Sequence, residues 1–333
     1  MVKGRLAYID IAKGILILFL LMGHALLFIK NEGIDDGFIN GFQNLRRYLW
    51  TSYYMPAFFV ITGFCSNFTK PFPTFIWLNF KTLKIPAMIF GTFLALVTMA
   101  SHHTFSYQRV FNHVAFCVVD SGLWFLDALF IAKLIYWLIL KLINNRFIIS
   151  LLCLCVFLVG FILFKNNIPF KDYGNVCHAM MLTIFLFVGQ ELKNRQTDLQ
   201  RKTLWGGAVF LSVLLYISLL DIAVPFITNK ISIDWRSLIP FFILSVSGSV
   251  TIMGISKLIG NSKWLEYIGK NSLVFYMFNT LALNISVKLL VRYINSVTSF
   301  FIYLLILIMA CLTLIVITEV LNTKHLKYSI GKF

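Results

Sequence analysis

Three ionisable side chains, Asp10, Lys13 and His24, lie inside the first long apolar stretch, YIDIAKGILILFLLMGHALLF, where a hydrocarbon-spanning helix normally carries none. At 100° per residue, Lys13 and His24 fall roughly 20° apart, and Asp10 about 40° from His24. All three share one stripe of one helix, with Lys13 and His24 separated by roughly 16 Å along its axis. An ionisable group at bilayer depth costs at least about 2.5 kcal/mol unless a cavity or a partner receives it, so such a stripe is a functional-site candidate by default. Histidine titrates near neutrality without a large shift, which fits His24 for general-base or acyl-relay chemistry. Lys13 would anchor an anionic group nearer one membrane surface, with Asp10 three residues away and able to pair with it. The plainer alternative is an interfacial Asp10–Lys13 pair and a His24 that hydrogen-bonds within a bundle.

The elements that position these residues are helices in a membrane. The 333-residue chain is 59% hydrophobic and 13% charged, with mean hydropathy +0.84, a composition that excludes an ordinary soluble domain. Stretches long enough to cross about 30 Å of hydrocarbon predict an all-α polytopic membrane protein with about ten transmembrane helices. They lie near 8–29, 53–68, 85–100, 123–143, 147–164, 177–192, 204–220, 239–258, 272–291 and 300–320. No polar stretch is long enough for a separate soluble domain, so residues 1–333 read as a single integral-membrane domain. The Gly-rich segment 29–51 reads as a long outer loop. The proline-bounded segment from Pro71 to Pro86 alternates aromatic residues with Asn79, Lys81 and Lys84, and reads as an amphipathic piece at the inner interface.

The net charge of +16 is scattered between apolar spans rather than gathered, which argues against a nucleic-acid partner. Its use is orientation: with Lys3 and Arg5 inside, the basic bias places both termini in the cytoplasm. The first span follows these charges without a small-x-small cleavage site and reads as a retained anchor in the cell (inner or plasma) membrane.

Further along, Lys81 and Lys84 are three residues apart and would share a helical face. Asp127 and Lys133, six apart in the fourth span, do not share one, so each needs a partner elsewhere. His102, His103 and His113 have no nearby carboxylate, His178 opens the sixth span, and the six cysteines show no metal-site spacing, so no metal is expected. Cys117 and Cys177 could meet as a disulfide near the outer face, although small apolar filling is the simpler role for the cysteines.

The order of motifs resembles a known family. ID-x-AKGI…GH in the first helix is similar to the opening of the integral-membrane acyltransferase 3 family, whose Arg/Lys-x10-His motif would here be Lys13 and His24. Within the family, the chain looks like the fucose O-acetylase-like branch. YYMPAFFVITGF (Tyr53 to Phe64), KTLKIP (Lys81 to Pro86), LWFLDALF (Leu123 to Phe130, with Trp124 and Asp127) and IGKNSLVFYMFN (Ile268 to Asn279) resemble its later segments in order. Two departures stand out: family members often carry histidine where this chain has Tyr54 and Asn279. The resemblance implies O-acyl transfer, usually of acetyl from acetyl-CoA, to a hydroxyl of an envelope carbohydrate or lipid-linked glycan. It implies His24 as the catalytic base, Lys13, Lys81 and Lys84 as anchors for the phosphates of the acyl-CoA, and Asp10, Asp127, Trp124 and Asn279 as supporting residues. The competing readings are a proton-coupled transporter or flippase, in which the charged stripe would relay protons, and a descendant that has lost catalysis.

Overall fold

The computed structural model of the chain describes residues 6–34, 36–49, 53–101, 103–165, 175–194, 199–219, 235–290 and 299–332. Lys3, Arg5 and His102 lie outside the described residues. Among those described there are fourteen α-helices and no strand. In chain order these are α1 (Ala7–Asn31), α2 (Gly37–Leu49), α3 (Tyr54–Cys65), α4 (Phe72–Asn79), α5 (Ile85–Ser101), α6 (Tyr107–Phe116) and α7 (Trp124–Leu142). They continue with α8 (Arg146–Lys165), α9 (Val176–Asn194), α10 (Leu199–Leu219), α11 (Trp235–Ile259), α12 (Lys263–Lys270), α13 (Ser272–Leu290) and α14 (Ser299–Leu321).

Each of the ten predicted stretches carries a helix, and among the described residues seven helical segments are long and apolar enough to cross a membrane. The protein is an all-α polytopic membrane protein. The other three are α3, which has only 12 residues, α7, which carries Asp127, Lys133 and Lys141, and α10, whose apolar part is the shorter helix Lys202–Ser218.

Two sequence expectations need correction. Segment 29–51 is not simply a loop, because residues 37–49 form the amphipathic helix α2. Two glycines weaken its local propensity, but the Asp36 carboxylate caps its start by accepting the Ile39 N–H at 2.8 Å. That bond, with the Ser299 hydroxyl, holds the Asp36 carboxyl below the usual range. Stacked Phe38 and Phe42 then pack edge-on against Tyr303 of α14. The segment from Pro71 to Pro86 is likewise not a separate interfacial piece. Residues 72–101 run as one 30-residue helical rod, α4 joined to α5 through a π turn at Phe80–Lys84. All six cysteines are free thiols, including Cys117 and Cys177.

The chain forms two compact units, Met1–Ile61 with Arg195–Val320, and Thr62–Asn194 with Leu321–Phe333. In the first unit, α1 packs against α11, α12 and α13. The contact with α12 is backbone against backbone: a Cβ on Gly14 would collide with the Leu265 carbonyl, and one on Gly269 with the Asp10 carbonyl. Asn271 then turns the chain from α12 into α13. Its side chain donates to the Tyr267 carbonyl at 2.9 Å, while its own carbonyl accepts the N–H groups of Val274 and Phe275 at 2.9 and 3.2 Å. The IGKNS segment is therefore a corner that seats α13 beside α1. In the second unit, α9 packs on α7 and α8, and Gly63 allows close approach to the Leu186 carbonyl.

This packing predicts a contrast between glycines. Gly269→Ala should lower stability by about 1–3 kcal/mol because the obstacle is backbone. Gly41→Ala, with nothing within 4 Å of the added atom, should be neutral or stabilise by about 0.5–1 kcal/mol. Thermal unfolding of the detergent-solubilised variants measures both.

Candidate active site

α1 is unbroken from Ala7 to Asn31, so Asp10, Lys13 and His24 do share one helix. Asp10 is buried in its first turn, and the Lys13 ammonium lies 4.0 Å from the Asp10 carboxylate with a quarter of its side chain exposed (26%). His24 is half-buried, and its Nδ1 lies 2.6 Å from Oδ1 of Asn279 on α13. The amide nitrogen of Asn279 donates to the Tyr276 carbonyl one turn back along α13. That second bond assigns the Asn279 oxygen to face the imidazole. A carbonyl oxygen only accepts, so the proton belongs on Nδ1 of neutral His24 and the lone pair on Nε2. A ring fixed in this tautomer by a buried amide is arranged as a general base. Both features of the plainer alternative, the Asp10–Lys13 pair and the hydrogen-bonded histidine, are present, and the second of them orients a base.

Sequence reading treated Asn279 chiefly as a missing histidine; it is the orienting partner of His24. It missed Arg46 altogether. This residue projects from α2 and donates from a terminal guanidinium nitrogen to the Gly23 carbonyl at 2.7 Å, one residue before His24. The guanidinium interacts electrostatically with His24, Tyr54 and Tyr303. Tyr54 is buried, and the Tyr303 hydroxyl donates to the Met22 carbonyl at 3.2 Å. The only signal for Arg46 in the sequence was the i, i+4 spacing of Phe38 and Phe42, which marks an apolar face on a helix otherwise polar in composition.

The remaining candidates sit in the second unit. Lys84 is not an open phosphate anchor: its side chain is 4% exposed and its ammonium meets the Asp127 carboxylate at 2.6 Å. The other Asp127 oxygen accepts the Ser121 N–H and hydroxyl, each at 2.9 Å. Gly122, with φ +79°, turns the chain there, and Gly91 leaves room for the Ser121 carbonyl. Asp127 thus ties the π turn to the start of α7. In that turn the Ile85 N–H reaches back five residues to the Phe80 carbonyl. The wider winding separates two lysines that an α-helix would keep on one face. Lys84 turns inward, while the Lys81 ammonium sits 4.9 Å from the centre of the exposed Trp77 ring. Trp124 contacts His178, whose ring is buried between Trp124 and Phe164 at centroid distances of 5.3 and 5.4 Å. Among the described residues no three His, Cys, Asp or Glu side chains gather in a way that could hold a metal ion.

In comparison with known families, the model of the acyltransferase 3 family, described as an acyltransferase domain, matches residues 6–319. That is nearly the whole chain, and it spans both units. No curated protein and no solved structure matches. The chain belongs to the acyltransferase 3 family.

The Lys84–Asp127 pair yields a stability prediction. Lys84→Met or Asp127→Leu alone leaves a buried charge unmatched and should cost about 3–5 kcal/mol. The double variant should recover most of that loss, or exceed wild-type stability, because two apolar side chains of similar volume replace the pair. A double-mutant cycle from thermal unfolding is the check.

Proposed function

For this membrane acyltransferase we propose O-acyl transfer, with acetyl-CoA as donor and a hydroxyl of an envelope carbohydrate or lipid-linked glycan as acceptor. The observation that carries the reading is the His24–Asn279 hydrogen bond, which leaves the imidazole Nε2 as a free base. In the reaction, Nε2 takes the proton of the acceptor hydroxyl as its oxygen attacks the thioester carbonyl. The new C–O bond forms, the C–S bond breaks, and the imidazolium returns its proton to the departing thiolate. The proton balance closes on His24 alone, so no second histidine is needed at Tyr54 or Asn279.

Lys13 is a cation of this unit that suits the phosphates of the donor. It is partly exposed, it lies on the same stripe as His24, and it acts as a point charge without the fixed fork of an arginine. Lys84 is committed to Asp127, and Lys81 belongs to the second unit. The basic bias of the sequence supports a cell-membrane location with both termini cytoplasmic, which would bring Lys13 to the side where acyl-CoA is available. The branch related to fucose O-acetylases fits this acceptor class. Membership of an acyltransferase family weighs against transport or flipping as the role of the charged stripe.

The test is acetyl transfer to envelope glycan in membranes carrying each variant. His24→Ala should lower the rate by about 10²–10⁴-fold, the usual contribution of a general base, while the protein stays inserted. Asn279→Ala should cost about tenfold or more in kcat with little change in KM, and Asn279→Asp, which keeps an acceptor oxygen toward Nδ1, should restore most of it. Undiminished acetylation in His24→Ala would remove the catalytic assignment. Equal losses in Asn279→Ala and Asn279→Asp would remove the orienting role.

A further inference from the structure

Helix α2 carries two polar side chains, Arg46 and Gln43, close to the His24 end of α1. A terminal nitrogen of the Arg46 guanidinium donates to the Gly23 carbonyl at 2.7 Å, one residue before His24, and that bond orients the planar group. Titratable groups that face it among the described residues include the His24 imidazole and the phenols of Tyr54 and Tyr303. One turn earlier on the same face of α2, the Gln43 amide oxygen is buried and accepts no hydrogen bond. A buried acceptor left unmet costs about 1–3 kcal/mol, and native proteins rarely tolerate one without a reason. A ligand hydroxyl is a donor of the right kind to meet it. Beside these groups stands an aromatic wall, with Tyr303 crossed edge-on by Phe42 at 5.4 Å and by Phe38 at 6.1 Å.

A planar cation, an open acceptor and aromatic faces together describe the needs of a charged sugar. Arginine engages carboxylate or phosphate oxygens in a two-pronged fashion, the amide takes a hydroxyl, and the rings cover the apolar face of a pyranose. We propose that the acyl acceptor is an anionic sugar, bound through its carboxylate or phosphate to Arg46 with a hydroxyl on Gln43. The proposal rests on the acyl-transfer reading above and names the acceptor class for the same site.

Direct binding separates the two ideas. The full-length protein in lipid nanodiscs would be titrated with methyl glucuronide, glucose 1-phosphate and methyl glucoside, which present a carboxylate, a phosphate and no charge. Wild type and His24→Ala should bind at least one charged probe about tenfold or more tighter than the glucoside, a difference of about 1.4 kcal/mol. Which charged probe gains more identifies the anionic group. Arg46→Gln should bring the charged probes down to the glucoside level while leaving the glucoside unchanged, and Arg46→Lys should keep part of the preference. Equal binding of charged and neutral probes by wild type, or a preference that survives Arg46→Gln, would overturn the proposal. So would loss of the glucoside along with the charged probes, since Arg46 would then be holding α2 in place rather than reading charge. Because His24→Ala is expected to keep the preference, an absence of His24-dependent transfer counts against the reaction and not against this site.

Discussion

A polar or charged group buried in an apolar helical bundle must find a partner, and the arrangement of this protein follows from how each such group is met. Asp127 collects a lysine ammonium, a hydroxyl and an amide N–H. Lys13 stands over Asp10. His24 is the exception of interest, because its match is one-sided: Asn279 meets Nδ1 and leaves Nε2 as the nitrogen to which we assign the proposed chemistry. The same requirement that stabilises the bundle thus supplies a base of defined tautomer.

Meeting that requirement depends on backbone proximity more than on side-chain bulk. Gly14 and Gly269 let α1 and α12 touch carbonyl to Cα, and Asn271 swings α13 from that contact so that Asn279 arrives beside His24. The IGKNS segment is thereby tied to the His24 imidazole through a short path. α2 adds a second layer from the opposite direction of the chain, capped by Asp36 and braced on Tyr303, and delivers Arg46 to the carbonyl preceding His24.

Much of this was legible beforehand. Apolar length located all ten helical stretches, and the 100° periodicity placed Asp10, Lys13 and His24 on one stripe. What could not be read was tertiary or depended on a change of helical pitch. Asn279 looked like a loss because its meaning lies in a contact with a residue 255 positions away. Lys81 and Lys84 looked like a matched pair because spacing rules assume an α-helix, and the π turn breaks that assumption. α2 looked like loop because its glycines lower local propensity, and the Asp36 cap with the aromatic packing on α14 outweighs them. Proline and polar residues between 71 and 86 similarly disguised the first turns of a 30-residue rod.

The central claim is that neutral His24 carries its proton on Nδ1 and offers Nε2 as the base. Nitrogen-15 NMR of the histidine-labelled protein in lipid reads this directly, with the His24 signals picked out from those of the six histidines by a His24→Asn difference spectrum. The account predicts a protonated Nδ1 and an unprotonated Nε2, with Nδ1 losing that definition when Asn279 is replaced by alanine. A proton found on Nε2 of neutral His24 in the wild-type protein would contradict it.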